Sequence, residues 1–237
     1  MNEQIKLKIN SIFESISGEA GGFPQGTWCT FIRLQGCNLR CGWCDTAHSQ
    51  DIKVPVTEMT PDEIFEHCHN KHILITGGEP LRQGRILSPL ISRLLHSGKK
   101  VQIETNGSYP IPHPDWIVIP GYDQLPIYWV VDYKCPSSGM SSAMPPTSDL
   151  VSQIHRARKH GDEVWIKWVI ADERDLEFAL ERIGKMARLV RVPHLISPID
   201  GKGEMVRNLI KSIREYDESL VDKITFSVQL HKLIKMP

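Results

Sequence analysis

Gly36-Cys37-Asn38-Leu39-Arg40-Cys41-Gly42-Trp43-Cys44-Asp45-Thr46 carries three cysteines in a C-x3-C-x2-C run, in a chain with no other close cysteine pair. Three thiolates on one short loop can hold one metal centre. If that centre is a four-iron cluster, one of its irons is left without a protein ligand and is open to bind something else. The same loop admits a second reading. His48 follows Cys44 at a spacing that would complete a four-ligand zinc site with Cys37, Cys41 and Cys44, and short Cys/His clusters are commonly zinc sites. The loop alone leaves both open.

A second motif shifts the balance toward the cluster. Thr76-Gly77-Gly78-Glu79-Pro80 closes the apolar run Ile73-Leu74-Ile75. Two adjacent glycines let backbone approach a ligand closely. Glu79 then offers an acceptor for an ammonium group at the mouth of a site, a feature that a small zinc module does not need.

The remainder of the chain bounds the class. Its 237 residues suffice for one large domain, and 41% hydrophobic with 24% charged residues is ordinary globular usage. Twenty-eight basic residues match 28 acidic ones. This balance argues against a protein that lives on nucleic acid or on an anionic membrane. No apolar run approaches the roughly 20 residues of a membrane span. The segment Met1-Asn2-Glu3-Gln4-Ile5-Lys6 lacks a signal-peptide core, so a soluble, cytoplasmic protein is expected. Cys29, Cys68 and Cys135 are scattered and read as structural thiols rather than ligands or disulfide partners. The cluster of His67, His69 and His72 reads as a solvated helix end, because helical spacing puts His67 and His69 on different faces.

Strands are expected at 28–34, 73–76, 101–104, 128–132, 165–170, 189–196 and 224–228, with a lead-in strand near 6–11. Helices alternate with them. Thr60-Pro61-Asp62-Glu63 combines a threonine cap, a proline at the first helical position and a glutamate three residues after the cap. Further helices are expected at 87–96 and 149–160, each stopped by a glycine, and at 172–183 and 204–216. Segments 108–126 and 136–146 read as loops, neither long enough to be a linker. The alternation predicts an α/β fold with a mostly parallel sheet: an incomplete TIM-type barrel of (β/α)6 kind, forming a single domain over 1–237. In such folds the site lies at the carboxyl ends of the strands, and both motifs fall there.

Together the motifs resemble the radical S-adenosylmethionine (SAM) superfamily and imply its fold, a [4Fe–4S] cluster on Cys37, Cys41 and Cys44, and SAM on the open iron. In that superfamily an electron from the cluster cleaves SAM, giving a 5′-deoxyadenosyl radical that abstracts hydrogen from substrate. The flanks resemble one family within it. Phe13-Glu14-Ser15-Ile16-Ser17-Gly18-Glu19, Phe31-Ile32-Arg33-Leu34-Gln35-Gly36-Cys37, Cys44-Asp45-Thr46, Ile103-Glu104-Thr105-Asn106-Gly107, Asp132-Tyr133-Lys134 and Val228-Gln229-Leu230-His231-Lys232 are similar to the 7-carboxy-7-deazaguanine synthases. That resemblance implies conversion of 6-carboxy-5,6,7,8-tetrahydropterin to 7-carboxy-7-deazaguanine with loss of ammonia, on the route to queuosine and related deazapurines. It implies substrate contacts at Ile16, Ser17, Gly18, Glu19, Arg33, Thr76 and Pro237. Trp43, Gly78, Glu79, Glu104, Lys134, Ser197, Pro198, Ile199 and Asp200 would face the cofactor, and Thr46 would ligate Mg²⁺. An electron donor of flavodoxin or ferredoxin type and a homodimer are also implied.

The chain departs from the family pattern at Ser17, where glutamine is usual, at Ala20, where glycine is usual, and at Asp132-Tyr133, where Ser-Pro is usual. A fixed guanidinium at Arg33 suits the substrate carboxylate through paired hydrogen bonds. Glu19 and the backbone of Ile16 to Gly18 suit the donor-rich aminopyrimidinone edge. Two other readings stand beside this one: an activase of glycyl-radical enzymes, which acts on a protein loop, and a zinc-binding scaffold without catalysis.

Overall fold

A computed structural model describes residues 5–116, 125–199 and 203–234 of the chain. Asp200 and Pro237, expected at the site, lie outside the described residues. One sheet of nine strands is found among the described residues, in spatial order β3-β1-β2-β4-β5-β6-β7-β8-β9. These are β1 (Leu7–Ile16), β2 (Trp28–Leu34), β3 (Thr57–Met59), β4 (His72–Gly77), β5 (Lys100–Thr105), β6 (Ile127–Asp132), β7 (Glu163–Ile170), β8 (His194–Pro198) and β9 (Ile224–Phe226). From β2 to β9 every neighbour is parallel, while β1 runs antiparallel to β2 and β3.

The connections explain the parallel run. Helices α1 (Pro61–Glu66), α2 (Ser88–His96), α3 (Thr147–Lys159), α4 (Glu173–Ala187) and α5 (Gly203–Asp217) supply crossovers, and α6 (Leu230–Leu233) follows β9. The capping box before α1 forms in both directions: Glu63 N–H donates to Thr60 Oγ1 at 3.2 Å, and Thr60 N–H donates to the Glu63 carboxylate at 2.7 Å. Asp172 caps α4 by accepting from Asp175 N–H at 2.9 Å. The described part of the crossover from β5 to β6 holds a short 3₁₀ turn, Pro114–Trp116. Much of the expected loop 108–126, residues 117–124, lies outside the described residues.

Period-two alternation divides the sheet into two faces with different jobs. Ile32, Ile73, Ile75, Val101, Ile103, Trp129, Ile166 and Trp168 point to one face and form a fully or almost fully buried core with the helices. The intervening residues Arg33, Thr76, Glu104, Asp132 and Lys167 point to the other face. The register sets Arg33 opposite Thr76 and Asp132 opposite Lys167, so one band of polar side chains crosses five consecutive strands.

Three strand expectations need correction. The run 189–196 is not a strand until His194; Val190 and Val192 are buried, but Pro193 has no N–H to give a ladder and only its carbonyl is used, accepting from Ile166 N–H at 3.0 Å. Strand β9 stops at Phe226 rather than at 228. Strand β1 continues to Ile16, well past position 11, because it pairs along most of its length with β2. The short edge strand β3 was not expected at all; two of its three side chains are exposed, so it carries no buried periodic signal.

Candidate active site

The cluster loop leaves β2 at Gly36 and is closed into a ring by backbone bonds. Gly36 N–H donates to Ser49 O at 2.7 Å and Cys37 N–H to Gln50 O at 2.9 Å. Gln35, fully buried, ties the return side by donating from its amide to Asp51 O at 2.7 Å. Cys37, Cys41 and Cys44 are free thiols of intermediate exposure, and all three line one cavity of about 210 Å³. Asn106 closes that corner, with its amide 3.6 Å from Cys37 Sγ and bonded to Asn38 Oδ1 at 3.0 Å. Burial pushes the Cys41 thiol above its ordinary value, and the nearby Lys134 charge offsets part of this. Cys29 is pushed up to about 12 and Cys68 to about 11 by burial, as structural thiols should be.

The polar band lines the same cavity as the thiols. Arg33 lies with its guanidinium carbon 4.9 Å from the Phe13 ring centroid, and its Nε is buried without a partner. Burial lowers its pKa, while Asp45 and Glu104 pull it back up. Lys134 is bound to Asp132 Oδ2 at 2.8 Å and sits 5.2 Å from the Trp43 ring centroid. The Trp43 indole N–H donates to Ser137 Oγ at 3.1 Å, and that hydroxyl donates to the fully buried Asp175. Thr46 lines the cavity, its hydroxyl donating to Gly77 O at 3.4 Å. Thr76 donates to Glu104 Oε2 at 3.2 Å, and Ser197, Pro198 and Ile199 complete the far wall. Glu19 also faces the cavity.

Four expected site residues stand elsewhere. Glu79 is fully buried rather than at the mouth: its carboxylate accepts from Leu81 N–H, Thr105 Oγ1 and Asn106 N–H at 2.7 to 2.9 Å, and burial still raises its pKa. Ile16, Ser17 and Gly18 do not line the cavity. Ile16 pairs with Trp28, Ser17 exchanges backbone bonds with Thr27 and Gly26, and Gly18 O accepts from Leu230 N–H at 2.8 Å. The glycine pair has a second reason besides the one expected. A Cβ at Gly78 would lie 2.3 Å from Gly36 O, and one at Gly77, whose φ is +127°, would meet Leu34 backbone at 2.3 Å. The glycines let β4 close onto the cluster loop, and both also line the cavity.

Residues 31–117 match the radical SAM superfamily profile. The 7-carboxy-7-deazaguanine synthase of Methanospirillum hungatei is 35% identical over 98% of this chain and 86% of its own length. That of Clostridium acetobutylicum is 32% identical over 98% of both. The crystal structure of QueE from Escherichia coli superposes with a TM-score of 0.64 at 21% identity, covering 95% of both chains. The chain belongs to the 7-carboxy-7-deazaguanine synthase family of radical SAM enzymes.

Radical SAM enzymes use a [4Fe–4S] cluster and SAM, and the synthase site fits both. Three accessible thiols converge on one cavity, yet among the described residues no three His, Cys, Asp or Glu side chains come close enough to hold a single ion. A cubane presents its irons at separated corners, whereas one tetrahedral zinc needs its ligands drawn together. His48 is exposed and absent from the lining, so the zinc reading loses its fourth ligand. No described helix is long and apolar enough to cross a membrane.

Sequence reasoning missed Lys167 and Gln229 as site residues. The Gln229 side-chain amide donates from Nε2 to Glu19 Oε1 at 3.0 Å and to Asp45 Oδ2 at 3.3 Å. The lone lysine inside Trp165-Ile166-Lys167-Trp168-Val169-Ile170 was the available signal: a charge amid an apolar strand must face something polar.

Proposed function

We propose that this chain converts 6-carboxy-5,6,7,8-tetrahydropterin to 7-carboxy-7-deazaguanine with loss of ammonia. The observation that carries the reading is the meeting, within one cavity, of three free thiols and a band of charges led by Arg33. When bound, the cluster supplies the electron that cleaves SAM, the source of the hydrogen-abstracting radical.

The chain's own residues bind and orient. Arg33 takes the pterin carboxylate, its unpartnered Nε giving one of two parallel bonds while Phe13 holds the guanidinium plane. Glu19 and Glu104 present acceptors to the aminopyrimidinone edge and to the cofactor. Lys134 and Trp43 form the cofactor wall, with Trp43 fixed through Ser137 to Asp175. Ser197, Pro198 and Ile199 shape the opposite side, and Asp200 and Pro237 belong to this reading by resemblance. Glu79 acts at one remove, pinning Thr105 and Asn106 beneath the cluster loop. Thr46 is the oxygen ligand for Mg²⁺, which commonly takes few ligands from protein and keeps substrate oxygens and water. A flavodoxin- or ferredoxin-type protein delivers electrons, a second copy of the chain completes a homodimer, and the enzyme works in the cytoplasm as one domain. The activase reading lacks support, since a protein-loop substrate has no use for this charged band.

The test is anaerobic turnover of reconstituted protein with SAM, reductant, Mg²⁺ and the carboxytetrahydropterin, with mass detection of product. SAM cleavage without deazaguanine formation rejects the substrate.

A further inference from the structure

Lys167 is a cavity cation that faces two carboxylates from different parts of the chain. Its ammonium is paired with Glu19 Oε2, from the segment after β1, and lies 3.8 Å from Asp132 Oδ2 on β6. The three side chains are only 13%, 14% and 17% exposed. The second oxygen of Glu19 is held by Gln229 at 3.0 Å, so the whole carboxylate is oriented. Asp132 Oδ2 also takes Lys134, while its Oδ1 is buried with no partner.

A buried ion pair is a poor way to stabilise a sheet; an apolar residue such as the Val169 that lies two positions on would serve at least as well. The charge therefore answers a need of the cavity. Glu19, Glu104 and Asp132 all face the same enclosed space, and without a cation among them they would repel one another and turn apart.

We propose that Lys167 is a positioning residue for the substrate: by bridging Glu19 and Asp132 it holds both carboxylates with free lone pairs toward the donor edge of the pterin. This rests on the substrate reading above. Lys167 lines the same cavity and acts on the ring through these two carboxylates. The large upward displacement of its pKa, where the charges of Glu19, Asp132 and Glu104 overcome desolvation, agrees with an ammonium that stays charged.

The experiment is isothermal titration of anaerobically reconstituted protein, without reductant so that nothing turns over, with 6-carboxy-5,6,7,8-tetrahydropterin and separately with SAM. Lys167→Met is expected to raise the pterin Kd on the order of 30-fold or more, the lower end for losing one member of a buried charge pair, while the SAM Kd moves less than about twofold. Lys167→Arg should recover most of the loss. On a Glu19→Gln background the same Lys167→Met change should cost much less, because its partner is already neutral. Unchanged pterin affinity, an equal loss of SAM affinity and iron, or fully additive effects with Glu19→Gln would each overturn the proposal. If Lys167→Met does not yield folded protein, Lys167→Gln carries the same comparison. Wild-type protein that binds SAM and no pterin would instead refute the substrate itself, and the proposal with it.

Discussion

Replacing Glu104 by glutamine should make the protein more stable above neutral pH, by an amount that falls away as the pH drops toward 5. Glu104 sits on β5 in the polar band, and its carboxyl is pushed up to about 7, first by desolvation and then by the charge of Glu19; Lys167, Thr76 and Gln102 pull it partly back. In the unfolded chain the same group titrates in the ordinary range near 4.3. The folded state therefore holds the proton more tightly. Stability from that proton is complete below the unfolded value and is lost as pH rises through about 7. Above that, the folded protein carries a charge it is ill-placed to hold, with a ceiling of about 4 kcal/mol. The realised figure is smaller, since Glu104 keeps some exposure toward the cavity. Glutamine removes the charge but disturbs one of two hydrogen bonds, at 3.2 Å from Thr76 and 3.3 Å from Gln102, worth about 1 kcal/mol. The net expectation is a gain of about 1–2 kcal/mol at pH 8.5, or roughly 2–8 °C in apparent Tm, falling to about zero at pH 5, where the unfolded carboxyl is already largely ionised. Anaerobic circular-dichroism melts of reconstituted wild type and Glu104→Gln from pH 5 to 8.5 read this directly. A difference that does not shrink between pH 8.5 and pH 5, or a variant less stable at pH 8.5, refutes the reasoning. The stabilised variant should bind its ligands more weakly, as expected where a site holds a destabilising charge for use.

Cys41→Ala should lose both iron and the brown colour on anaerobic reconstitution, and retained SAM cleavage would contradict the cluster assignment. Arg33→Ala should weaken pterin binding by about 2–5 kcal/mol while uncoupled SAM cleavage persists; loss of iron in that variant would instead make Arg33 a support of the loop. Gly78→Ala places a methyl 2.3 Å from Gly36 O and 2.7 Å from Ser49 O, so it should cost about 1–3 kcal/mol and lower the iron content together, read by denaturant titration and metal analysis. An unchanged midpoint and full iron loading would mean that the loop yields freely.

Much of this protein is readable along the chain because the relevant signals are local. The cysteine spacing, the Thr60 capping box and the inward alternation of Arg33, Thr76 and Glu104 each lie within a few residues, where backbone geometry follows from residue type. The continuous apolar runs of β4 to β8 report strands covered on one face by helices and closed over a cavity on the other. What the chain order does not contain is which distant groups meet. Glu79 looks like a ligand beside two glycines; only the packing of β4 under the cluster loop shows its carboxylate used up by Thr105 and Asn106. Ser17 and Gly18 look like a binding loop until their backbone groups are seen bonded to residues 26, 27 and 230. Residue type and local spacing pointed to the parallel fold and to a metal centre on the cysteine loop, and resemblance to the family named the cofactors. The tertiary structure decided which charges share one enclosed space, because a pairing such as Lys167 with Glu19 exists only once the sheet has brought β7 and the end of β1 together.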